Sequence, residues 1–291
     1  MVAVMISQPS SQLRFSRRTL LTGTGLGVAG LVLAGCEFDD PPEPDPSLQE
    51  VRGLLSSFVD ANPQAPETAI FNKFLPQLEQ EVVRVCGVDE NGHSDEHCTQ
   101  AAPPKPNSAP SVENVADRVR RGIRDVEDRH SAYLLGALFT DLSGHTTADV
   151  GLPKASELSR RFDARVVFDG LKATDVWGMA TDRAAAAISA SGIALSKDDG
   201  SRRTAMTQRA TTLRHCRDHL RQIYECSGNP YVPAAGFSPV TKEPESPHEA
   251  WNFLNQATDA LSTFLLGTVN DRDCSPVTRE CLVQWAARLG Q

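Results

Sequence analysis

The chain has 291 residues, of which 23% are charged, and a formal net charge of −8 at pH 7. A chain of this length can bury a substantial core as one domain. Its excess of acidic over basic residues argues against a nucleic-acid-binding protein, because phosphate backbones attract basic surfaces.

The N-terminal segment contains an export signal. Arg17 and Arg18 precede an uncharged, apolar run at 20–35 that ends in Leu-Ala-Gly before Cys36. This run is shorter than the roughly 20 apolar residues that a membrane-spanning helix needs. A positive stretch, a short apolar stretch and small residues before a cleavage point together form a secretory signal peptide. The alternative interpretation is an uncleaved membrane anchor.

The segment 16–36 resembles the signal peptides of bacterial lipoproteins that the twin-arginine translocase exports, with Ser-Arg-Arg-x-Leu-Leu followed by Leu-Ala-Gly-Cys. The resemblance implies that residues 1–35 are removed and that Cys36 becomes the first mature residue, carrying a diacylglycerol. Two acyl chains suffice for stable anchoring in a lipid bilayer. The implied partners are the translocase during export and the bilayer afterwards. The implied location is the extracytoplasmic face of the cell membrane.

Residues 36–46 are predicted to form a disordered tether between the lipid and the folded part. Residues 37–46 contain four prolines and five acidic residues, so they cannot bury a core and repel one another. Removal of residues 1–35, which hold three arginines and no acid, changes the formal net charge to −11. This acidity argues against adsorption of the domain to anionic lipid. Residues 47–291 are predicted to be a single all-helical extracytoplasmic domain.

The chain has seven cysteines. With Cys36 assigned to the lipid, six remain, an even number that predicts three disulfides in an oxidising compartment. A cysteine-rich metal site is disfavoured, because no close Cys-x-x-Cys pair is present. The six are Cys86, Cys98, Cys216, Cys226, Cys274 and Cys281.

Cys86 and Cys98 flank a polar loop that contains glycine and can turn back on itself, so we predict that they are bonded. The other four cysteines allow three connectivities. Cys216 and Cys226 would lie about 15 Å apart along one predicted helix, which is too far for a disulfide. An antiparallel arrangement of this helix and the last helix favours the pairs Cys216–Cys281 and Cys226–Cys274.

Strand signals are scarce, and apolar residues recur at helical spacing along the mature chain. The pattern predicts an all-α bundle of about six to eight helices. Capping boxes are expected at 47–50 and 246–249, and proline-rich connectors at 99–111 and 228–245. Apolar stripes predict helices at 48–58, 70–86, 112–138, 158–195, 202–224, 246–267 and 276–289.

Glu127 and His130 form a Glu-x-x-His motif on the predicted helix 112–138, where residues three apart share a face. In this motif and in its helical background the chain resembles ferritin-like bundles, which implies a metal centre and a redox function. Such a site needs a second Glu-x-x-His and further inward carboxylates, and the sequence has no second copy. The alternative is that His130 is a hydrogen-bonded core histidine and Glu127 a surface acid.

Three further groups of polar residues each have a ligand-binding and a structural interpretation. His215 and His219 have the spacing of a shared metal site, but no glutamate follows His215 as a metalloprotease motif requires. The acidic loop 89–97 lacks the alternating ligands of a calcium loop. The arginine-rich outer face of the helix 202–224 suits an anionic partner, or is simply solvated.

No Gly-x-Ser-x-Gly elbow, P-loop or dinucleotide fingerprint occurs in the sequence. We therefore predict no catalytic residue and no cofactor. The signal, the tether and the helical domain favour a non-catalytic binding or interaction domain for an unidentified ligand or envelope protein. The alternative is a ferritin-like metal-binding or redox protein centred on Glu127 and His130.

Overall fold

Helices form all the regular structure that is described. The computed structural model describes residues 43–87, 98, 102–146, 152, 173–226, 230–232, 243–270 and 274–291. Within these ranges there is no β-strand, and the predicted all-α fold class is confirmed. The helices are α1 (Pro46–Ala61), α2 (Glu67–Cys86), α3 (Val112–Asp125), α4 (Arg129–Ser143), α5 (Ala173–Lys197), α6 (Arg203–Cys226), α7 (Pro247–Val269) and α8 (Pro276–Gly290).

Several predicted features lie outside the described residues. These are the export signal with Arg17 and Arg18, the lipidation site Cys36, and the acidic loop 89–97. None of the helices in the described ranges has the length and apolar character required to cross a membrane.

The first helix begins at a different cap from the one predicted. The Asp45 carboxylate accepts hydrogen bonds from the backbone N–H groups of Ser47 and Leu48, at 2.8 and 3.1 Å. Pro46 occupies the first helical position, where its missing N–H costs nothing. Ser47 lies inside the helix, and its hydroxyl accepts a hydrogen bond from Arg118 at 3.2 Å. The predicted capping box at 47–50 is therefore wrong, since the aspartate–proline pair starts the helix earlier.

The last two helices each begin at a serine cap. The serine cap of the box predicted at 246–249 is confirmed, while the Glu249 carboxylate accepts a hydrogen bond from the Glu245 N–H at 2.8 Å instead of from the Ser246 N–H. The Ser246 hydroxyl accepts a hydrogen bond from the Glu249 N–H at 3.3 Å at the start of α7. The Ser275 hydroxyl accepts one from the Thr278 N–H at 3.2 Å at the start of α8. Serine at this position satisfies an N–H group that has no partner inside the helix.

The predicted eight-turn helix at 112–138 is two helices, separated by non-helical residues at 126–128. The Asp128 carboxylate accepts a hydrogen bond from the Ser131 N–H at 3.0 Å and so caps α4. Aspartate favours this position because its side chain competes for backbone groups that a continuous helix would use. The break also changes the helical phase. His130 and Tyr133, which the continuous stripe placed inward, are exposed.

The helices form two groups, which are joined by α8 and by a direct contact between α4 and α7. In the first group, α1 and α4 each pack against both α2 and α3; in the second, α5, α6 and α7 pack on one another. The last helix, α8, packs against α3 and α4 on one side and against α6 and α7 on the other.

Cross-helix contacts give the directions of the second group. A short turn at 198–202 makes α5 and α6 antiparallel neighbours. Arg183, in the first half of α5, lies 4.4 Å from the ring centre of Phe264, in the second half of α7, so these helices are also antiparallel. Ser262 of α7 donates to the carbonyl of Ala286, near the end of α8, at 3.1 Å, so α8 runs back along α7. Helices α6 and α8 therefore run in opposite directions, as the sequence predicts.

Polar residues of α8 are buried along with its apolar ones. Arg279 and Glu280 are only 6% and 4% exposed. The Glu280 carboxylate accepts a hydrogen bond from Arg120 of α3, and Arg124 lies 3.4 Å from its other oxygen. Arg279 donates to the backbone carbonyl of Val126 at 3.1 Å. Two buried charges of α8 thus fix it against the end of α3 and the break that follows.

Replacement of Glu280 by alanine should strongly destabilise the protein. The substitution leaves the Arg120 guanidinium, whose side chain is 20% exposed, without its buried anion. Removal of one partner of a buried ion pair costs about 3–5 kcal/mol, so the free energy of unfolding, measured by urea denaturation, should fall by about 3 kcal/mol.

Asp141→Ala is the control for this prediction. Asp141 pairs with Lys73 across α2 and α4 at 2.7 Å, but both side chains are exposed, and such pairs contribute about 0–1 kcal/mol. Equal losses in the two variants would contradict the assigned role of Glu280.

Candidate functional site

The structure does not place Glu127 and His130 on one helical face. Glu127 is exposed in the break between α3 and α4, and His130 is in the first turn of α4. The His130 Nε2 atom lies 3.8 Å from the Glu81 carboxylate of α2 instead. Within the described ranges, no group of three or more His, Cys, Asp or Glu side chains is arranged to hold a metal ion.

Glu81 is the centre of a buried polar cluster between α2 and α4. Its side chain is 4% exposed and accepts two hydrogen bonds from the Arg84 guanidinium, both at 2.7 Å. The Ser131 hydroxyl donates to it at 2.6 Å. Arg84 also contacts the Asp128 carboxylate. Ser131 is fully buried, and the cluster joins α2 to α4 through the contacts of Glu81.

Hydrogen bonding determines the ionisation of this cluster. Burial alone raises the pKa of Glu81, but the hydrogen bonds from Arg84 and Ser131 outweigh burial and lower that pKa below its ordinary value of 4.5. Burial also opposes ionisation of Asp128, whose pKa is lowered from 3.8 by the Ser131 N–H and by Arg84. Both carboxylates are therefore stabilised in the charged form.

The two histidines of α6 have different surroundings. His215 is exposed. His219 accepts a hydrogen bond at Nδ1 from the Trp285 indole N–H of α8, at 2.9 Å. His219 thus forms a contact between α6 and α8, which agrees with the structural interpretation of its position beside the core stripe.

Two arginines of the α6 face pair with acids on the same helix. Arg217 donates to the Asp218 carboxylate at 2.6 and 2.9 Å. Arg221 donates to the Glu225 carboxylate at 2.8 Å. The helix has five arginines and two acids, so its face keeps a net positive charge.

The disulfide predicted between Cys86 and Cys98 is confirmed, with Cα atoms 6.1 Å apart. Cys216 and Cys281 are fully buried thiols in the structure. Burial raises the pKa of both thiols, and the nearby Cys281 raises that of Cys216 further. Neither thiol has the lowered pKa of a reactive cysteine. The Cys216–Cys281 bond stays a prediction, and the side chain of Cys226, with its predicted bond to Cys274, lies outside the described part of the chain.

A groove with polar and apolar lining residues lies between α1 and the connector 102–110. Its volume is about 420 Å³. The floor comes from the second half of α1, and the opposite wall comes from the extended connector. The lining residues are Gly53, Ser56, Ser57, Asp60, Ala61, Pro103, Lys105, Pro106, Asn107, Ser108 and Ala109.

The connector is fixed near both ends and in the middle. Before it, Cys98 is bonded to the end of α2. After it, the Ser111 hydroxyl caps α3 by accepting from the Asn114 N–H at 3.2 Å. In the middle, a Cβ atom added to Gly53 would lie 2.2 Å from the carbonyl oxygen of Pro104. Only glycine permits this close approach of two backbones, so Gly53 determines the position of the groove wall.

The polar side chains of the groove are not used by the fold. Lys105 and Asp60 are exposed, and the Ser56 and Ser57 hydroxyls are half-buried. In the portion of the chain that the structure describes, none of these four side chains makes a hydrogen bond or an ion pair. The groove therefore presents one cation, one anion and several hydroxyls to a ligand.

Sequence reasoning missed this site because it treated the connector as an exposed linker. Two signals were available. Gly53 interrupts an otherwise good helical stretch, and four prolines between 103 and 110 stiffen the connector and remove backbone donors. Neither signal shows that α1 and the connector lie against each other.

Comparison of the chain with protein-family models, curated proteins and solved structures finds no match. The protein is therefore an all-α bundle to which no family is assigned. The candidate site is assigned from its geometry and chemistry alone.

The Glu81 cluster predicts acid-sensitive stability. Because the folded-state pKa values of Glu81 and Asp128 lie below their ordinary values of 4.5 and 3.8, the charged carboxylates stabilise the fold above about pH 4.5. This contribution is lost as the pH falls through the folded-state values. Glu81→Gln should be less stable than the native sequence at neutral pH, and the difference should shrink at acidic pH, as measured by urea denaturation at several pH values.

Glu79→Gln is the matched control, because Glu79 lies on the same helix with an exposed side chain 3.9 Å from Arg52. Its stability should follow that of the native sequence at every pH. A constant difference between Glu81→Gln and the native sequence across the acidic range would show that ionisation of Glu81 is not the source of its effect.

Proposed function

We propose that the protein is a lipid-anchored extracytoplasmic domain that binds a small polar ligand in the groove between α1 and the connector. The observation that carries this proposal is the groove itself, whose charged and hydroxyl groups have no role in the fold. Its volume of about 420 Å³ falls in the range of small-ligand sites, which is about 300–1,000 Å³.

The position of the groove supports a function at the membrane surface. It lies on α1, the first helix after the proposed tether. The ten residue-to-residue steps from Cys36 to Pro46 span at most about 33–36 Å when fully extended. The tether thus keeps the groove close to the bilayer while leaving it open to solvent.

The disulfide also links the site to the proposed compartment. The bond between Cys86 and Cys98 restrains the residues that lead into the groove wall. Disulfides persist in oxidising compartments outside the cytoplasm. Export to such a compartment would therefore allow the bond between Cys86 and Cys98 to form and to hold the groove wall in place.

The chemistry of the lining supports binding rather than catalysis. Nucleophilic catalysis needs a nucleophile beside a base, with a third group to orient that base. The lining has a single acid, Asp60, a single amine, Lys105, and no histidine or cysteine. None of the lining serines forms a hydrogen bond with Asp60 or Lys105 in the described part of the chain, so we assign the serine hydroxyls a hydrogen-bonding role toward a ligand.

Cys36→Ala should release the protein from the membrane, because the substitution removes the sulfur that carries the lipid. Membrane fractionation followed by detergent-phase partitioning measures this directly. Arg17→Lys combined with Arg18→Lys should instead block export, leaving the protein inside the cell. Partition of Cys36→Ala into the detergent phase would contradict the proposed anchor.

Binding in the groove can be followed with a fluorophore on its rim. Ala61 is an exposed lining residue, so Ala61→Cys provides an attachment point in the full-length lipidated protein, and the unsubstituted protein measures background labelling. The soluble small-molecule fraction of an enzymatically digested bacterial envelope should change the emission saturably.

Gly53→Ala and Gly192→Ala complete this experiment. The first displaces the groove wall by the clash with Pro104, whereas a Cβ at Gly192 of α5 meets nothing within 4 Å. The emission change should be lost only in Gly53→Ala. Absence of any saturable change in the fluorophore-labelled protein with otherwise native sequence would overturn the proposed binding function.

A further inference from the structure

We propose that the ligand of the groove is a short peptide in an extended conformation, bound through its backbone and its two charged ends. This inference rests on the proposed binding function and specifies the class of ligand.

The connector presents an unpaired backbone. Residues 102–110 are not helical, and within the described portion of the chain they make no backbone hydrogen bond. Proline at 103, 104, 106 and 110 removes donors, so the remaining N–H groups of the lining stretch belong to Lys105 and to the three residues 107–109. Residues 105 and 107–109 are exposed, so these backbone groups are open to a ligand, and an extended peptide offers N–H and C=O groups alternately along its length.

The two charges of the groove stand on opposite walls. Lys105 lies on the connector and Asp60 on α1. A short peptide with free ends carries one carboxylate and one ammonium group. Its carboxylate can pair with Lys105 and its ammonium with Asp60, which fixes the direction of the peptide as well as its position.

The lining favours a peptide over a carbohydrate. No aromatic side chain is among the residues that line the groove, so a sugar ring finds no flat apolar face on which to stack. The proline and alanine residues of the lining instead give small apolar contacts between the polar groups. The wall is already held by the disulfide and by Gly53, so binding loses little further conformational entropy.

Tetra-alanine with free ends is the first probe, titrated into the full-length protein labelled at Ala61→Cys. It should bind saturably, and acetylation with amidation of its ends should weaken binding about tenfold, which corresponds to about 0.7 kcal/mol for each exposed ion pair. Gly53→Ala should abolish binding, while Gly192→Ala should bind like the native sequence. Circular dichroism checks that both variants keep their helices.

The direction of the peptide is tested by matching each charge with one end. Lys105→Gln should weaken binding of the free peptide but not of the peptide amidated at its C-terminus. Asp60→Asn should weaken binding of the free peptide but not of the peptide acetylated at its N-terminus. If each variant instead weakens binding of both blocked peptides equally, the proposed orientation and its ionic contacts are overturned.

A tetramer of N-acetylglucosamine separates the failure of this inference from that of the proposed function. Saturable binding of the saccharide without binding of tetra-alanine overturns the peptide inference and leaves the binding function standing. If only the envelope fraction changes the emission, the peptide inference is likewise overturned and the binding function stands. If neither probe nor the envelope fraction changes the emission, both proposals are wrong.

Discussion

The architecture depends on the ion pairs that the buried Glu280 carboxylate forms with α3. Glu280 lies on α8, the helix shared by the two groups, and it pairs with Arg120 and Arg124 of α3. A carboxylate 5% exposed is stable in the charged state only with such partners. Any displacement of α8 that separates these charges leaves the Glu280 carboxylate buried without its arginine partners. The pairs thus restrict α8 to one register against the first group, while its apolar residues pack on the second.

The parts of the fold that depend on local sequence were predicted well. The apolar stripe of α6 from Met206 to Ile223 is buried as predicted, because residues three and four apart share a helical face. The starts of α7 and α8 follow from serine–proline pairs, whose capping is a short-range effect. Each of these features is determined within one or two turns of helix.

The errors arose where two local signals competed. The apolar stripe continues in phase across 126–128, but Asp128 favours a cap and Val126 takes an extended backbone instead. Near α1, Asp45 and Ser47 are both good N-caps, and Pro46 makes the earlier one fit. Periodicity alone does not rank a cap against a continued helix. The prediction of a continuous helix through Asp128 was wrong. It also produced the Glu127–His130 metal hypothesis, which requires that helix.

The groove could not be derived from the sequence, because it depends on contact between distant segments. Gly53 and Pro104 meet only in the folded protein, and the volume between α1 and the connector has no sequence pattern of its own. The disulfide was predictable, since its two cysteines enclose a short polar loop, but its role in fixing the groove wall was not. Recognition of the site required the tertiary structure.

The locations of the cysteines agree with the proposed export route. The twin-arginine resemblance implies that the chain folds before it crosses the membrane, so an oxidant outside meets a folded protein. Cys216 and Cys281 are fully buried, and thiols at such positions are inert in a folded core. Cys86 is half-buried at the end of α2, and its partner Cys98 is 1% exposed, so formation of their bond after transport would require Cys98 to become accessible. Packing and buried ion pairs hold the described core, so the proposed transport of a folded chain does not require this disulfide to form first.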